Sequence, residues 1–186
     1  MARRTRALVI RLDDLADLLR ARGNEYYGED VTLLQHSLQT ADLAEGAGLD
    51  DHLVVAALFH DIGHALEREV GVREDDVRHE VHGERLLEGL FGPSVARPVG
   101  LHVVAKRFQC TRVPSYVESL SSESRRSLER QGGPLTLDEC AAIQADPYFS
   151  SALTLRRLDD AAKSPHARPR DLQYFLDVAR RVIERN

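Results

Sequence analysis

Leu53-Val-Val-Ala-Ala-Leu-Phe-His60-Asp61-Ile-Gly-His64-Ala-Leu66 is the most apolar stretch of the 186-residue chain, and a His-Asp pair sits inside it. The run starts near Asp50 or Asp51 and reads as one helix, apolar on nearly every face. Such a helix is buried on most sides. A lone carboxylate in that setting costs several kcal/mol unless something neutralises it. A metal cation is the strongest partner for Asp61; a buried His-Asp hydrogen bond or an Asp-Arg pair is the plainer alternative.

Helical spacing continues on both sides of this run. Leu8, Leu12, Leu15, Leu18 and Leu19 fall three and four apart over residues 8–21, and Gly23 offers a stop. A second helix spans about 31–47, closed by Gly46 and Gly48. Residues 75–90 and 94–108 predict two more, the latter kinked or started late by Pro98. The stretch from Cys110 to Pro134 is less regular and ends in the turn Gln131-Gly-Gly-Pro134. Thr136-Leu-Asp-Glu139 has capping-box spacing, and helices over 148–163 and 170–185 finish the chain. No segment alternates apolar and polar residues long enough for a strand. The expectation is a single all-α domain over 1–186, of seven to nine helices.

Composition removes several functions. Lys plus Arg total 25 and Asp plus Glu 30, a net charge of −5 concentrated in residues 41–90. That balance argues against a nucleic-acid or anionic-membrane partner. No apolar run approaches the roughly 18 residues of a membrane helix. The opening Met-Ala-Arg-Arg-Thr-Arg segment has too short an apolar stretch for a secretory signal. Cys110 and Cys140 give no disulfide framework, so a cytoplasmic location is expected.

The eight histidines carry the chemistry. His36 lies among Leu33, Leu34 and Leu38 on the helix before the His-Asp pair. His82 precedes Gly83 on the next helix, with His79 as its rival one turn earlier. His102 lies among Leu101, Val103 and Val104, and Asp159, with Asp160 as its rival, sits on the penultimate helix. Five helices thus each aim a His or Asp from an apolar stripe. One inward histidine is ordinarily a satisfied core residue, but five such positions together are not. Imidazoles plus carboxylates, with no cysteine, suit iron, zinc or manganese and argue against a structural zinc site. Four histidines and two aspartates exceed the needs of one ion and fit two, bridged by Asp61.

The order His36, His60-Asp61, His82, His102, Asp159 resembles the HD-domain superfamily of metal-dependent hydrolases and oxygenases, over about residues 24–163. The resemblance implies an HD-domain helical bundle in which His36, His60, Asp61 and Asp159 hold one metal and Asp61, His82 and His102 the second. His82 is preferred over His79 because the family's ligand precedes a glycine. Asp159 is preferred over Asp160 because it comes first in the pair, as in the related inositol oxygenase pattern.

Further segments resemble one subgroup, the HD-domain phosphonate oxygenases. Tyr26-Tyr-Gly-Glu29 is similar to its Tyr-x-Gly-Glu segment, where the tyrosine can occupy an iron position and the glutamate lies near substrate; Tyr27 is the alternative tyrosine. His64, one turn after His60, would share the catalytic cavity with Asp61. His102-Val-Val-Ala-Lys106 is similar to a run whose lysine reaches the phosphonate. Ser124 and Ser127 fall in a segment similar to the loop whose hydroxyls hold phosphonate oxygens. Leu155-Arg156-Arg-Leu-Asp159-Asp-Ala-Ala-Lys163 is similar to the closing motif, which puts Arg156 and Lys163 on the substrate side. A phosphonate dianion needs several converging charged and hydroxyl donors, and these residues supply them.

The resemblance therefore implies two Fe ions, mixed-valent Fe(II)/Fe(III), and cleavage of a small 1-hydroxyphosphonate by O2 to phosphate and a carboxylate. The competing readings are a phosphohydrolase acting on a nucleotide or phosphate ester, and an HD scaffold that only binds a ligand.

Overall fold

A computed structural model describes residues 10–26, 30–69 and 78–186. Among them are eleven helical segments: α1 (Leu12–Arg22), α2 (Leu33–Gly46), α3 (Asp51–Phe59), α4 (Ile62–Glu69), α5 (His79–Phe91), α6 (Pro93–Arg112), α7 (Tyr116–Ser119), α8 (Ser122–Arg130), α9 (Leu137–Ile143), α10 (Phe149–Ala161) and α11 (Leu172–Arg185). The extended pairing among these residues is one isolated bridge, Tyr26 to Thr32. None of these helices is long and apolar enough to cross a membrane. The all-α expectation holds, with more and shorter helices than the spacing implied.

The apolar run 53–66 is not one helix. Every residue from Leu53 to Phe59 is buried, and α3 is the axis around which α2, α6, α10 and α11 pack. The helix ends at His60, and α4 begins at Ile62, so the His-Asp pair occupies the junction. His60 itself closes α3: its Nδ1–H donates to the Ala57 carbonyl at 2.9 Å, capping the last turn. Apolar composition is blind to such a break, because Ile62, Ala65 and Leu66 in the first turns of α4 continue the apolar run of α3 across it. The irregular stretch after Cys110 resolves into the short α7 and the nine-residue α8, which adds two further segments.

Caps fall where the sequence places them. Thr136 and Glu139 form the reciprocal capping box at the start of α9, and Thr32 and Gln35 form another at α2. Pro93 occupies the first turn of α6 and Pro98 lies inside it, the helix running through to Arg112. The expected helix over 75–90 is described only from His79; residues 75–77, like 8 and 9 of the first helix, lie outside the described residues. Cys110 and Cys140 are both buried and unpaired.

One glycine decides how the site is assembled. A Cβ on Gly63 would lie 2.0 Å from the His79 carbonyl oxygen, a distance no side chain can occupy. Gly63 therefore lets α4 meet the first turn of α5 in backbone contact. That contact presents His79, not His82, to Asp61. Gly83 has a milder duty, since a Cβ there would lie 3.2 Å from Val99 Cγ1.

Candidate metal centre

Five elements deliver six side chains to one buried point. His36 comes from the first turn of α2, His60 and Asp61 from the α3–α4 junction, His79 from the start of α5, His102 from mid α6 and Asp159 from late α10. All six are nearly excluded from solvent.

They form two overlapping groups. In the first, His36 Nε2 lies 3.1 Å from His60 Nε2 and 3.2 Å from Asp159 Oδ1, with Asp61 Oδ2 3.4 Å from His60 and 3.9 Å from His36. In the second, His79 Nε2 and His102 Nε2 are 3.2 Å apart, and Asp61 Oδ1 is 3.5 and 3.6 Å from them. Each Asp61 oxygen thus faces its own pair of imidazoles, as a bridging carboxylate must. His64 stacks on His79, with ring centres 3.9 Å apart, at the edge of the second group.

The hydrogen bonds behind these rings fix their tautomers. His36 Nδ1 is 2.9 Å from the Ala162 carbonyl, His60 Nδ1 2.9 Å from Ala57, and His102 Nδ1 2.6 Å from Val99. A carbonyl only accepts, so each Nδ1 carries a hydrogen, and the neutral form of such a ring turns its Nε2 lone pair inward. Two such lone pairs 3.1 Å apart cannot bond to each other and need a cation between them. His79 is the exception: its Nδ1 has no hydrogen-bond partner and lies 3.6 Å from Glu80 Oε2.

The electrostatics express the same demand. Burial pulls the pKa of His79 well below the usual imidazole range, with His64 adding to the effect, and lowers His102 to about 4. Both rings are therefore neutral donors. Burial opposes a charge on His60 too, but Asp61 and then Asp159 outweigh it and raise the pKa to about 9. Burial likewise opposes ionisation of Asp61 and Asp159; His60 holds the first well below the usual carboxylate range and Arg156 the second. The nitrogen and oxygen donors, with no thiolate, fit iron, manganese or zinc. Two groups sharing one carboxylate fit a pair of ions.

His82 does not join the cluster. Its Nδ1 donates to Glu67 Oε1 at 2.9 Å, while Glu67 Oε2 lies 3.6 Å from His64 Nδ1. His79 and His82 are three residues apart on α5, and only the contact at Gly63 decides between them. Asp159 is the inward member of its pair; Asp160 turns instead to Arg156 and Tyr116. The Tyr26 side chain is 67% exposed, outside the buried cluster. Tyr27 and Glu29 lie outside the described residues.

Beside the cluster are three cations. Lys106, 2% exposed and one turn beyond His102, donates to Ser127 Oγ at 2.7 Å. Burial, with Arg156 close by, lowers its pKa to about 7. Lys163 reaches Ser124 Oγ at 3.0 Å, and Ser127 Oγ donates back to the Ser124 carbonyl at 3.0 Å. Arg156 is buried and paired with Asp159 at 2.7 Å. Sequence reasoning missed Glu67 and Tyr116. Glu67 was accessible as the i+3 neighbour of His64 on one helix face. Tyr116 had no signal, being on a four-residue helix inside an irregular stretch.

An all-α bundle that buries four imidazoles and two carboxylates with their lone pairs converging, beside a cluster of cations, defines a metal-dependent enzyme. The HD domain model matches residues 33–146, which include every one of these donors except Asp159. The chain belongs to the HD-domain family. It is 39% identical over 178 residues to the hydroxymethylphosphonate dioxygenase of Gimesia maris, covering 94% of this chain and 89% of that one. It is 35% identical over 170 residues to the [1-hydroxy-2-(trimethylamino)ethyl]phosphonate dioxygenase (glycine-betaine-forming) of Leisingera caerulea, covering 90% of this chain and 87% of that one. A third relative, the uncharacterized protein L432 of Acanthamoeba polyphaga mimivirus, is 33% identical over 165 residues.

Proposed function

We propose that this chain is an O2-dependent di-iron oxygenase that cleaves the C–P bond of a small 1-hydroxyphosphonate. The observation that carries the reading is the near full-length similarity to two named phosphonate dioxygenases, joined to a buried cluster that demands cations. The reaction balances with O2 as the sole oxidant. One hydroxyphosphonate dianion and one O2 give one carboxylate, one hydrogen phosphate and a proton, with the C–H and C–P bonds at C1 broken and both oxygen atoms retained.

His36, His60 and Asp159 would hold one iron, His79 and His102 the other, and Asp61 both. When bound, a mixed-valent Fe(II)/Fe(III) pair would supply the redox chemistry of O2 activation. The remaining steps belong to side chains. Lys106, Lys163 and Arg156, with the Ser124 and Ser127 hydroxyls, would receive the phosphonate oxygens. Charge-assisted donors of this kind are the strongest available for a dianion. His64, at the rim of the second group, would take the proton of the C1 hydroxyl and return it to the leaving phosphate. The substituent at C1 differs between the two named relatives; Glu29, three residues after Tyr26 in the sequence, would suit a cationic one. A cytoplasmic location is part of the reading, and the free thiols of Cys110 and Cys140 support it.

The direct test is phosphate release from hydroxymethylphosphonate measured together with O2 consumption. The metal assignment has its own check. His79→Ala is expected to lower iron from about two per chain towards one, because a neutral donor of the second group is lost. His82→Ala is expected to keep both, because it removes only a partner of Glu67. Iron lost from His82→Ala and kept in His79→Ala would reverse the assignment.

A further inference from the structure

Arg156 is 4% exposed, and each nitrogen of its guanidinium is engaged. Nη1 lies 2.7 Å from Asp159 Oδ2, Nη2 pairs with Asp160 Oδ1, and Nε donates to the Tyr116 hydroxyl at 3.0 Å. The Tyr116 hydroxyl in turn donates to Asp160 Oδ2 at 2.5 Å. Tyr116, Asp160 and Arg156 therefore close a ring of three hydrogen bonds across forty residues of sequence. A guanidinium has five N–H groups in a planar fork. The three contacts use one on each nitrogen and leave one on each terminal nitrogen for another acceptor.

A long side chain beside an anion site is useful only if its rotamers are fixed before the anion arrives, since immobilising it afterwards subtracts from binding. Asp159 and Asp160 hold the two tips of the fork, and both lie on the same helix as Arg156. Those two contacts leave the fork free to tilt about the line joining its tips. The Nε bond to Tyr116 comes from a different element, α7, and removes that freedom. The Tyr116 ring is anchored by packing against Cys110, Leu120 and Leu128. Burial also keeps the phenol protonated, its pKa pushed well above the ordinary value, so the hydroxyl remains a donor to Asp160.

We propose that Tyr116, acting with Asp160, is a positioning residue that sets the Arg156 fork for the phosphonate. The proposal rests on the reading of this site as a phosphonate pocket.

The test uses the iron-loaded full chain and methylphosphonate as the binding probe, with Lys106→Met as a control on the pocket itself. Tyr116→Phe keeps the ring packing and deletes the hydroxyl alone. It is expected to weaken methylphosphonate binding about tenfold, one lost hydrogen bond to a charged group. Iron content should be unchanged, and KM for hydroxymethylphosphonate should rise more than kcat falls. Asp160→Asn should act in the same direction, and the double variant should weaken binding by less than the product of the two single effects, as members of one network do. Unchanged affinity in Tyr116→Phe and Asp160→Asn, with affinity lost in Lys106→Met, overturns the proposal alone. Loss of iron from Tyr116→Phe also overturns it, by assigning the hydroxyl to the metal centre. A wild-type chain that binds no methylphosphonate removes the pocket reading and the proposal together.

Discussion

Asp61→Ala is expected to lose most of both metal ions and all turnover. Among the described residues Asp61 alone faces both donor groups: one carboxylate oxygen is 3.4 Å from His60 Nε2 and the other 3.5 Å from His79 Nε2. Removing it deletes a ligand from each ion and the only anion of the second group. Four imidazoles and Asp159 would remain, leaving one carboxylate among the donors to offset a pair of cations. The fold itself should survive, because an ionised carboxylate held in a dry site is a cost in the metal-free protein. Iron per chain, measured with circular dichroism on the same sample, decides the point. Two tightly bound irons retained in a folded Asp61→Ala chain would defeat the bridging role.

Arg156→Ala carries the second large effect, and here stability is involved. The guanidinium is the counter-charge for Asp159 and Asp160, which are 9% and 25% exposed at their side chains. Without it Asp159, Asp160 and the Tyr116 hydroxyl each lose one partner at once, keeping His36 for the first and each other for the last two. Breaking a buried pair by removing one member costs about 3–5 kcal/mol. For a domain of this size that is a fall in Tm of roughly 6–20 °C. Bound metal would return part of this by neutralising Asp159, so the fall should be larger in the iron-free protein. Phosphonate affinity should drop by roughly ten- to a hundredfold. A Tm within a degree or two of wild type would mean that the two aspartates are neutralised by something else.

Much of this site is legible in the sequence, because inward polar residues on apolar helices are conspicuous. His36, His60, Asp61, His102 and Asp159 stand out for that reason, and all five converge. Where the reading went astray, the deciding contact lay between elements. His79 and His82 share a face of α5, and a glycine after His82 drew attention to the histidine that stays outside the cluster. The close approach that matters is made by Gly63, whose missing side chain lets the His79 backbone settle beside the His-Asp pair. The break at His60 was hidden because the apolar run continues across it into the first turns of α4. Tyr116 was invisible for a related reason: its contacts span forty residues, and a four-residue helix leaves no periodicity to read.

The central claim is that O2, not water, supplies the oxygen that replaces the C–P bond. Hydrolysis needs only a pair of Lewis acids, whereas this oxidation needs O2 and a redox-active metal. The measurement is inorganic phosphate released from hydroxymethylphosphonate by the iron-loaded chain, in air and under argon, with O2 followed on the same sample. The expected result is one O2 consumed per phosphate in air, no phosphate under argon, and none when manganese replaces iron. Phosphate release from nucleotides or phosphate esters that continues under argon and survives the exchange to manganese would contradict the account and make the protein a phosphohydrolase.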